Sequence, residues 1–106
     1  MISISAYVQR VIDHNDVEAR IALRIYNALE LAGNPVKYID YGEGPVDVNS
    51  LNEFMQAVFS VDECYIYANR GWIRFIIGNE WDCLVDYTLN LEEALAPVDS
   101  YIRRHW

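Results

Sequence analysis

The sequence predicts an α+β fold, in which an antiparallel sheet of three to four strands carries helices on one of its faces. Residues 65–87 support this because apolar and polar side chains alternate there as in a three-stranded meander. Amphipathic segments with helical spacing lie before and after the meander. A chain of 106 residues can bury its own core, so we expect one domain over residues 1–106.

The first predicted helix is short. The hydroxyl of Ser3 or Ser5 can serve as its N-cap, and the helix is expected to end near Asp13. Its apolar residues follow the spacing of one helix face: Ile4, Val8, Val11 and Ile12.

A second, longer helix is predicted after a corner at residues 14–16. Asn15 would be its N-cap, and Glu18 would complete a capping box. The helix runs to about Ala32, where Gly33 stops it. One continuous helix through the corner is the alternative.

The middle of the chain alternates between strand and turn signals. Residues 36–41 predict an edge strand that joins the meander, residues 42–45 a turn, and residues 46–48 a short strand. Ser50 and Glu53 form a capping box that opens a third helix. Its apolar face comprises Leu51, Phe54, Met55, Val58 and Phe59.

The first hairpin of the meander is expected to turn at Arg70 and Gly71, with Asn69 paired with Trp72. That register gives one face that is entirely apolar. Its pairs are Ala68 with Ile73, Ile66 with Phe75 and Cys64 with Ile77.

The second hairpin is expected to turn through the three residues 78–80, and the apolar face then continues into the third strand. The pairs are Ile77 with Trp81, Phe75 with Cys83 and Ile73 with Val85. A two-residue turn would set Ile77 against Asp82, and burying an unpaired carboxylate is costly. The three-residue turn has its own disadvantage, because Glu80 is a poor residue for the left-handed position.

The opposite face of the meander is both aromatic and charged. It comprises Tyr65, Tyr67, Trp72, Arg74, Ile76, Asp82, Leu84 and Asp86. Arg74 is expected beside Tyr67 and diagonal to Asp82 and Asp86, in reach of cation–π and ion-pair contacts. This face is interpreted either as a salt-bridged structural surface or as a recognition surface. The candidate binding residues are Tyr65, Tyr67, Trp72, Arg74, Asp82 and Asp86.

A fourth helix is predicted near the end of the chain, with Asn90 as its N-cap and Glu93 in the capping-box position. Its inward residues are Leu91, Leu95, Val98 and Ile102. Pro97 predicts a kink or a break around Ala96. The tail 103–106 is interpreted as electrostatic capping, with docking of a partner as the alternative.

The two cysteines are predicted to be buried free thiols. Cys64 and Cys83 fall on the first and third strands of the meander, so their backbones are about 9.5 Å apart, beyond disulfide reach. No Cys-x-x-Cys pair exists, and His14 and His105 are distant in sequence. We therefore expect neither a metal site nor a cofactor.

The net charge of −8 argues against direct non-specific binding to nucleic acid or to anionic lipid. No apolar run approaches the length of about 20 residues that spans a bilayer, so we expect no membrane association. The start of the chain lacks the pattern of a secretory signal, which favours a cytoplasmic location.

About forty residues of the C-terminal half carry a resemblance. The run Gly71 to Asn79, the run Trp81 to Thr88 and Asn90-Leu91-Glu92 resemble segments of small uncharacterised proteins encoded by bacteriophages, prophages and mobile elements. The resemblance implies a bacterial cytoplasm and an accessory role, and it implies no catalytic or binding residue.

Together these patterns favour a non-catalytic interaction protein that binds a protein partner or a second copy of itself. One alternative is an acidic anti-defence inhibitor whose carboxylates mimic nucleic-acid phosphates. The other is a small enzyme that uses Asp82 and Asp86. The sequence disfavours it because no nucleophile elbow is present and the two carboxylates are roughly 13 Å apart along a strand.

Overall fold

The fold is that of a computed structural model, which describes residues 3–106. These residues form four α-helices and five β-strands. In order they are α1 (Ala6–His14), α2 (Asp16–Leu31), β1 (Val36–Asp40), β2 (Pro45–Asp47), α3 (Leu51–Val58), β3 (Glu63–Ala68), β4 (Trp72–Ile76), β5 (Leu84–Tyr87) and α4 (Glu92–Arg104). Two short 3₁₀ turns, Glu80–Asp82 and Leu89–Leu91, flank β5.

All five strands form one antiparallel sheet in the order β2-β1-β3-β4-β5. The predicted α+β class is confirmed, but the sheet has five strands rather than three to four. The prediction that residues 36–41 form an edge strand is wrong, because β2 pairs with β1 and takes the edge position.

The helices cover one face of the sheet, and the core lies between the two layers. The inner face of the sheet contributes Ile39, Ile66, Ile73 and Phe75, and the helices contribute Ile21, Ile25, Leu29, Phe54, Leu95 and Val98. All of these side chains are almost completely buried. Burial of such side chains stabilises the fold by about 1.5–3 kcal/mol each.

The register of the first hairpin differs from the prediction by two residues. Ile66 pairs with Ile73, and Tyr67 pairs with Trp72. The Ala68 N–H donates to the Gly71 carbonyl at 3.0 Å, so the loop consists of residues 69–70. A shift of two residues leaves every side chain on its predicted face, since the faces alternate with a period of two.

The second hairpin contains a bulge that the sequence did not reveal. Ile73 pairs with Tyr87 and Phe75 with Leu84, so the register changes by one residue between these pairs. A bulge leaves one residue without an opposite partner and exchanges the faces beyond it. Val85, predicted to face the core, is therefore 40% exposed, and Leu84 packs against the core instead.

The first two helices are separate, as predicted. The Ser5 hydroxyl caps α1 by accepting from the Val8 N–H at 3.2 Å. Asn15 interrupts the helical backbone with a ψ of 55°, but its side chain makes no N-cap bond to α2. The predicted capping box with Glu18 is wrong, because the Glu18 carboxylate is buried and turned towards the residues after β4.

The predicted cap of α3 is confirmed, whereas the predicted cap of α4 is wrong. The Ser50 hydroxyl caps α3 by accepting from the Glu53 N–H at 3.2 Å. Asn90 does not cap α4, since it lies in a 3₁₀ turn and donates to the Arg70 carbonyl. The predicted break at Pro97 is also absent, because α4 continues through it. Pro97 lies on the exposed side, where water can satisfy the carbonyl that a proline leaves unpaired.

Candidate functional site

The face of the sheet opposite the helices is open to solvent, and we call it the outer face. Strand register assigns to it Tyr38, Asp40, Asp47, Glu63, Tyr65, Tyr67, Trp72, Arg74, Ile76 and Asp86. All ten side chains are half-buried or exposed, whereas their inner-face neighbours in β3 and β4 are buried. No helix of the described chain therefore covers this surface.

Four aromatic residues form a continuous cluster across β1, β3 and β4. The Tyr38 and Tyr67 rings are stacked, with centroids 4.6 Å apart and planes within 9°. The Tyr65 and Trp72 rings meet edge to face at 5.4 Å. Tyr67 also lies directly opposite Trp72 in the ladder, which joins the two pairs. We call these four residues the aromatic cluster.

Arg74 lies on the outer face as predicted, but its neighbours are different. It lies opposite Tyr65 on one side and opposite Asp86 on the other. Its ion pair is with Glu63, at 2.6 Å between Nε and Oε2. The hydrogen bond and charge of Glu63 raise the pKa of the Arg74 guanidinium. The two-residue register shift accounts for this change of partners.

The two predicted carboxylates do not form a site together. Asp82 lies in the 3₁₀ turn before β5 and is exposed, so it is separate from the outer-face row. Asp86 remains on the outer face, where its carboxylate accepts from the Tyr87 N–H at 2.9 Å. The structure thus places five of the six predicted site residues on one surface and Asp82 apart from them.

Four outer-face residues were absent from the sequence prediction. Glu63 lies at the start of β3, just before the predicted face, and the other three lie on β1 and β2. Tyr38 extends the aromatic cluster, and Asp40 and Asp47 add negative charge. Only the pairing of β1 with β3 reveals their position, since local alternation contains no information on strand order.

The outer face carries more negative than positive charge. By register it has four carboxylates and one guanidinium: Asp40, Asp47, Glu63 and Asp86 against Arg74. Lys37, in the bulge of β1, is the adjacent cation. Arg74 is already paired with Glu63, so the other three carboxylates remain available to a cationic ligand.

The two cysteine thiols are buried, and the potential metal ligands of the described chain are not grouped. Burial raises the pKa of the Cys64 and Cys83 thiols to about 12, and both cysteines are free. Among residues 3–106, no three His, Cys, Asp or Glu side chains are grouped so that they could hold a metal ion.

Comparison of the chain with protein-family models, with curated proteins and with solved structures finds no match. No helix within the described range is long and apolar enough to cross a bilayer.

Proposed function

We propose that this chain is a non-catalytic interaction protein whose outer face binds an Arg- or Lys-rich segment of a protein partner. The observation that carries the proposal is the aromatic cluster on a sheet face that no described helix covers. Tyr65 is exposed, and the other three rings are half-buried. Contiguous aromatic residues that remain accessible to solvent are typical of binding sites, where Trp and Tyr often supply most of the binding energy.

The chemistry of this surface favours a cationic partner. A guanidinium or ammonium group is attracted to the faces of Tyr and Trp rings, with a typical gain of about 0.5–1 kcal/mol at exposed sites. Carboxylates on β1, β2 and β5 surround the cluster, and the whole chain has a net charge of −8. Such a surface attracts basic segments over a distance that shortens with added salt.

Self-association through the outer face is less favourable than binding to another protein. A two-fold symmetric dimer would bring two copies of the same carboxylate-rich surface together. Like charges across an interface oppose association, so a monomer is expected.

The anti-defence alternative uses the same surface and has one specific observation in its favour. The four outer-face carboxylates are spread over β1, β2, β3 and β5, so negative charge occurs on both sides of Arg74 in β4. In this case the cationic partner would be the basic groove of a nucleic-acid-binding protein. The resemblance to phage and mobile-element proteins, with a bacterial cytoplasm as the setting, is consistent with this alternative.

Binding can be tested with short fluorescein-labelled peptides. The cationic probe alternates Arg and Gly, and the control probe has Glu in place of Arg. We expect anisotropy to report binding of the Arg peptide only, weakening as salt is added.

Matched variants then connect binding to the outer face. Trp72→Ala should weaken the affinity about two- to fivefold, which corresponds to the loss of one cation–π contact at an exposed site. Tyr7→Ala is the control, because Tyr7 is an exposed aromatic residue on α1 and lies outside the outer face. Equal effects of the two substitutions, or equal binding of both peptides, would contradict the proposal.

The self-association alternative gives a separate result. Gel filtration coupled to light scattering should give the monomer mass, and a dimer disrupted by Trp72→Ala would favour self-association. A cross-strand aromatic pair also stabilises a sheet by about 0.2–1 kcal/mol, so thermal unfolding of each variant must accompany the binding data.

A further inference from the structure

A groove of about 920 Å³ lies between α2 and α4 and extends to the β3–β4 turn. We call it the α2–α4 groove. It belongs to the helical layer, on the opposite side of the sheet from the outer face. Aliphatic side chains of both helices line it, including Ala28 and Val98. Leu31 also lines it and is 89% exposed.

Positive charge is concentrated at this groove in a chain that is otherwise acidic. Arg24, Arg70 and Arg104 line it, against the single carboxylate of Glu93. Among the described residues, none of these three guanidinium groups forms an ion pair, whereas Arg20 and Arg74 do. With sixteen acidic and eight basic residues in the chain, three arginines without carboxylate partners around one groove favour an anionic ligand.

The arginines at the two ends of the groove are held by specific contacts. At one end, Arg24 lies over the Tyr101 ring at 3.7 Å and donates to the Arg20 carbonyl at 3.2 Å. At the other, Asn34 accepts from the Arg70 N–H at 2.7 Å and donates to its carbonyl at 2.8 Å.

The side chains of Asn34 and Asn90 fix the backbone of Arg70. Asn34 is only 6% exposed and is one of two buried polar residues in the described chain. Asn90 adds a third bond to the Arg70 backbone, from its amide to the carbonyl at 3.1 Å. Asn34 and Asn90 are thus positioning residues for one end of the groove.

The positions of the arginines give the length of the ligand. Arg70 is near the start of α4 through Asn90, whereas Arg24 contacts Tyr101 near the end of that helix. Residues 91–101, which separate these two contacts, span about 15 Å at about 1.5 Å per residue. A complementary ligand has negative groups about 15 Å apart, which is about three turns of an α-helix, with apolar groups between them.

The exposure of Leu31 favours a protein segment over a small molecule. A second exposed leucine, Leu89 at 82%, immediately precedes the groove-lining Asn90. Large apolar side chains at the margin of a groove are covered when an amphipathic helix lies in it. We propose that the α2–α4 groove docks an acidic amphipathic helix of a protein partner, whose leucines lie on the aliphatic floor and whose carboxylates pair with the arginines.

A synthetic helix tests this proposal directly. The probe is a fluorescein-labelled peptide of Leu, Ala and Glu, with leucines along one face and Glu residues about three turns apart. Controls are a scrambled peptide of the same composition and a version with Lys in place of Glu. We expect anisotropy to show binding of the amphipathic Glu peptide alone.

Charge variants of the protein locate the site. Single substitutions Arg70→Ala and Arg104→Ala should each weaken binding about two- to fivefold, the range for exposed ion pairs. The double charge reversal R70E/R104E should weaken it at least about tenfold. Arg10→Glu is the matched control, since Arg10 is exposed on α1 and does not line the groove.

The outcomes separate this inference from the function proposed for the outer face. Trp72→Ala should leave binding of the Glu peptide unchanged, and R70E/R104E should leave binding of the Arg peptide unchanged or stronger. Equal binding of the scrambled peptide, or an equal loss with Arg10→Glu, would overturn the proposal. Binding of decanoate at these arginines without binding of the helix would also overturn it and assign the groove to a small organic anion.

Discussion

The buried carboxylate of Glu18 holds the connection between β4 and β5, and its removal should destabilise the protein strongly. Glu18 is 2% exposed, and its Oε2 accepts from the N–H groups of Gly78 and Glu80, both at 2.9 Å. Glu80 has a φ of +51°, in the left-handed region that non-glycine residues rarely occupy. The Glu18 bonds thus hold a turn whose backbone is unfavourable by itself.

The size of the effect follows from these two bonds. A hydrogen bond to a charged group contributes about 1.5–3 kcal/mol, so the pair contributes about 3–6 kcal/mol. Gly78 and Glu80 lie near the surface, where water can reach the released N–H groups, which favours the lower value. We expect Glu18→Ala to lower the free energy of unfolding by about 3 kcal/mol. Glu18→Gln keeps an acceptor oxygen without the charge and should cost about half as much.

Urea unfolding followed by tryptophan fluorescence, with thermal scans in parallel, measures both variants. A loss of about 3 kcal/mol corresponds to a fall in Tm of about 10–20 °C for a domain of this size. Glu92→Ala is the control, because Glu92 also lies in the first turn of a helix but is exposed. The control removes only the helix-dipole contribution, about 0.3–1 kcal/mol. Equal stability of Glu18→Ala and Glu92→Ala would show that the Glu18 hydrogen bonds do not stabilise the turn.

Three further predictions concern the turns and the thiols. Gly71→Ala should lower the free energy of unfolding by about 2–4 kcal/mol. Gly71 has a φ of +97°, and a Cβ there would meet Thr88 Oγ1 at 2.5 Å and Asn90 Oδ1 at 2.8 Å. Gly42→Ala, at a φ of +100° with open space around it, should cost only about 1 kcal/mol in the same urea assay; similar losses would exclude the steric explanation. Glu80→Gly should leave stability unchanged or raise it by up to about 1 kcal/mol, and a clear loss would show that its backbone is unstrained. Cys64 and Cys83, with pKa values of about 12, should react with Ellman's reagent at pH 8 about 10³-fold more slowly than in denaturant, and rapid reaction of the native protein would contradict their burial.

The faces of β3 and β4 could be predicted from the sequence, whereas the register and the faces of β5 could not. A shift of two residues keeps Ile66, Ile73 and Phe75 on the inner face, so the apolar pattern fits both registers equally well. The observed register brings Gly71 against Thr88 and Asn90, a contact between segments that local alternation does not encode.

The long-range partners of polar residues were also beyond the sequence argument. Glu18 has the spacing of a capping box, but it bonds to Gly78 and Glu80 some sixty positions away. Asn34 follows Gly33, where α2 was predicted to end. Its hydrogen bonds to Arg70 depend on the position of the β3–β4 hairpin in the folded chain. The same reason explains the incomplete candidate site, in which Tyr38 was missing.

The two outermost strands have a consequence for how the protein behaves when concentrated. β2 has three residues, one of which, Pro45, has no backbone N–H to donate. β5 has four residues and is distorted by its bulge. Short, irregular edge strands present few consecutive unpaired N–H and C=O groups, which discourages edge-to-edge polymerisation. Concentrated solutions should therefore stay free of fibrils, with extended peptides unable to add as a sixth strand.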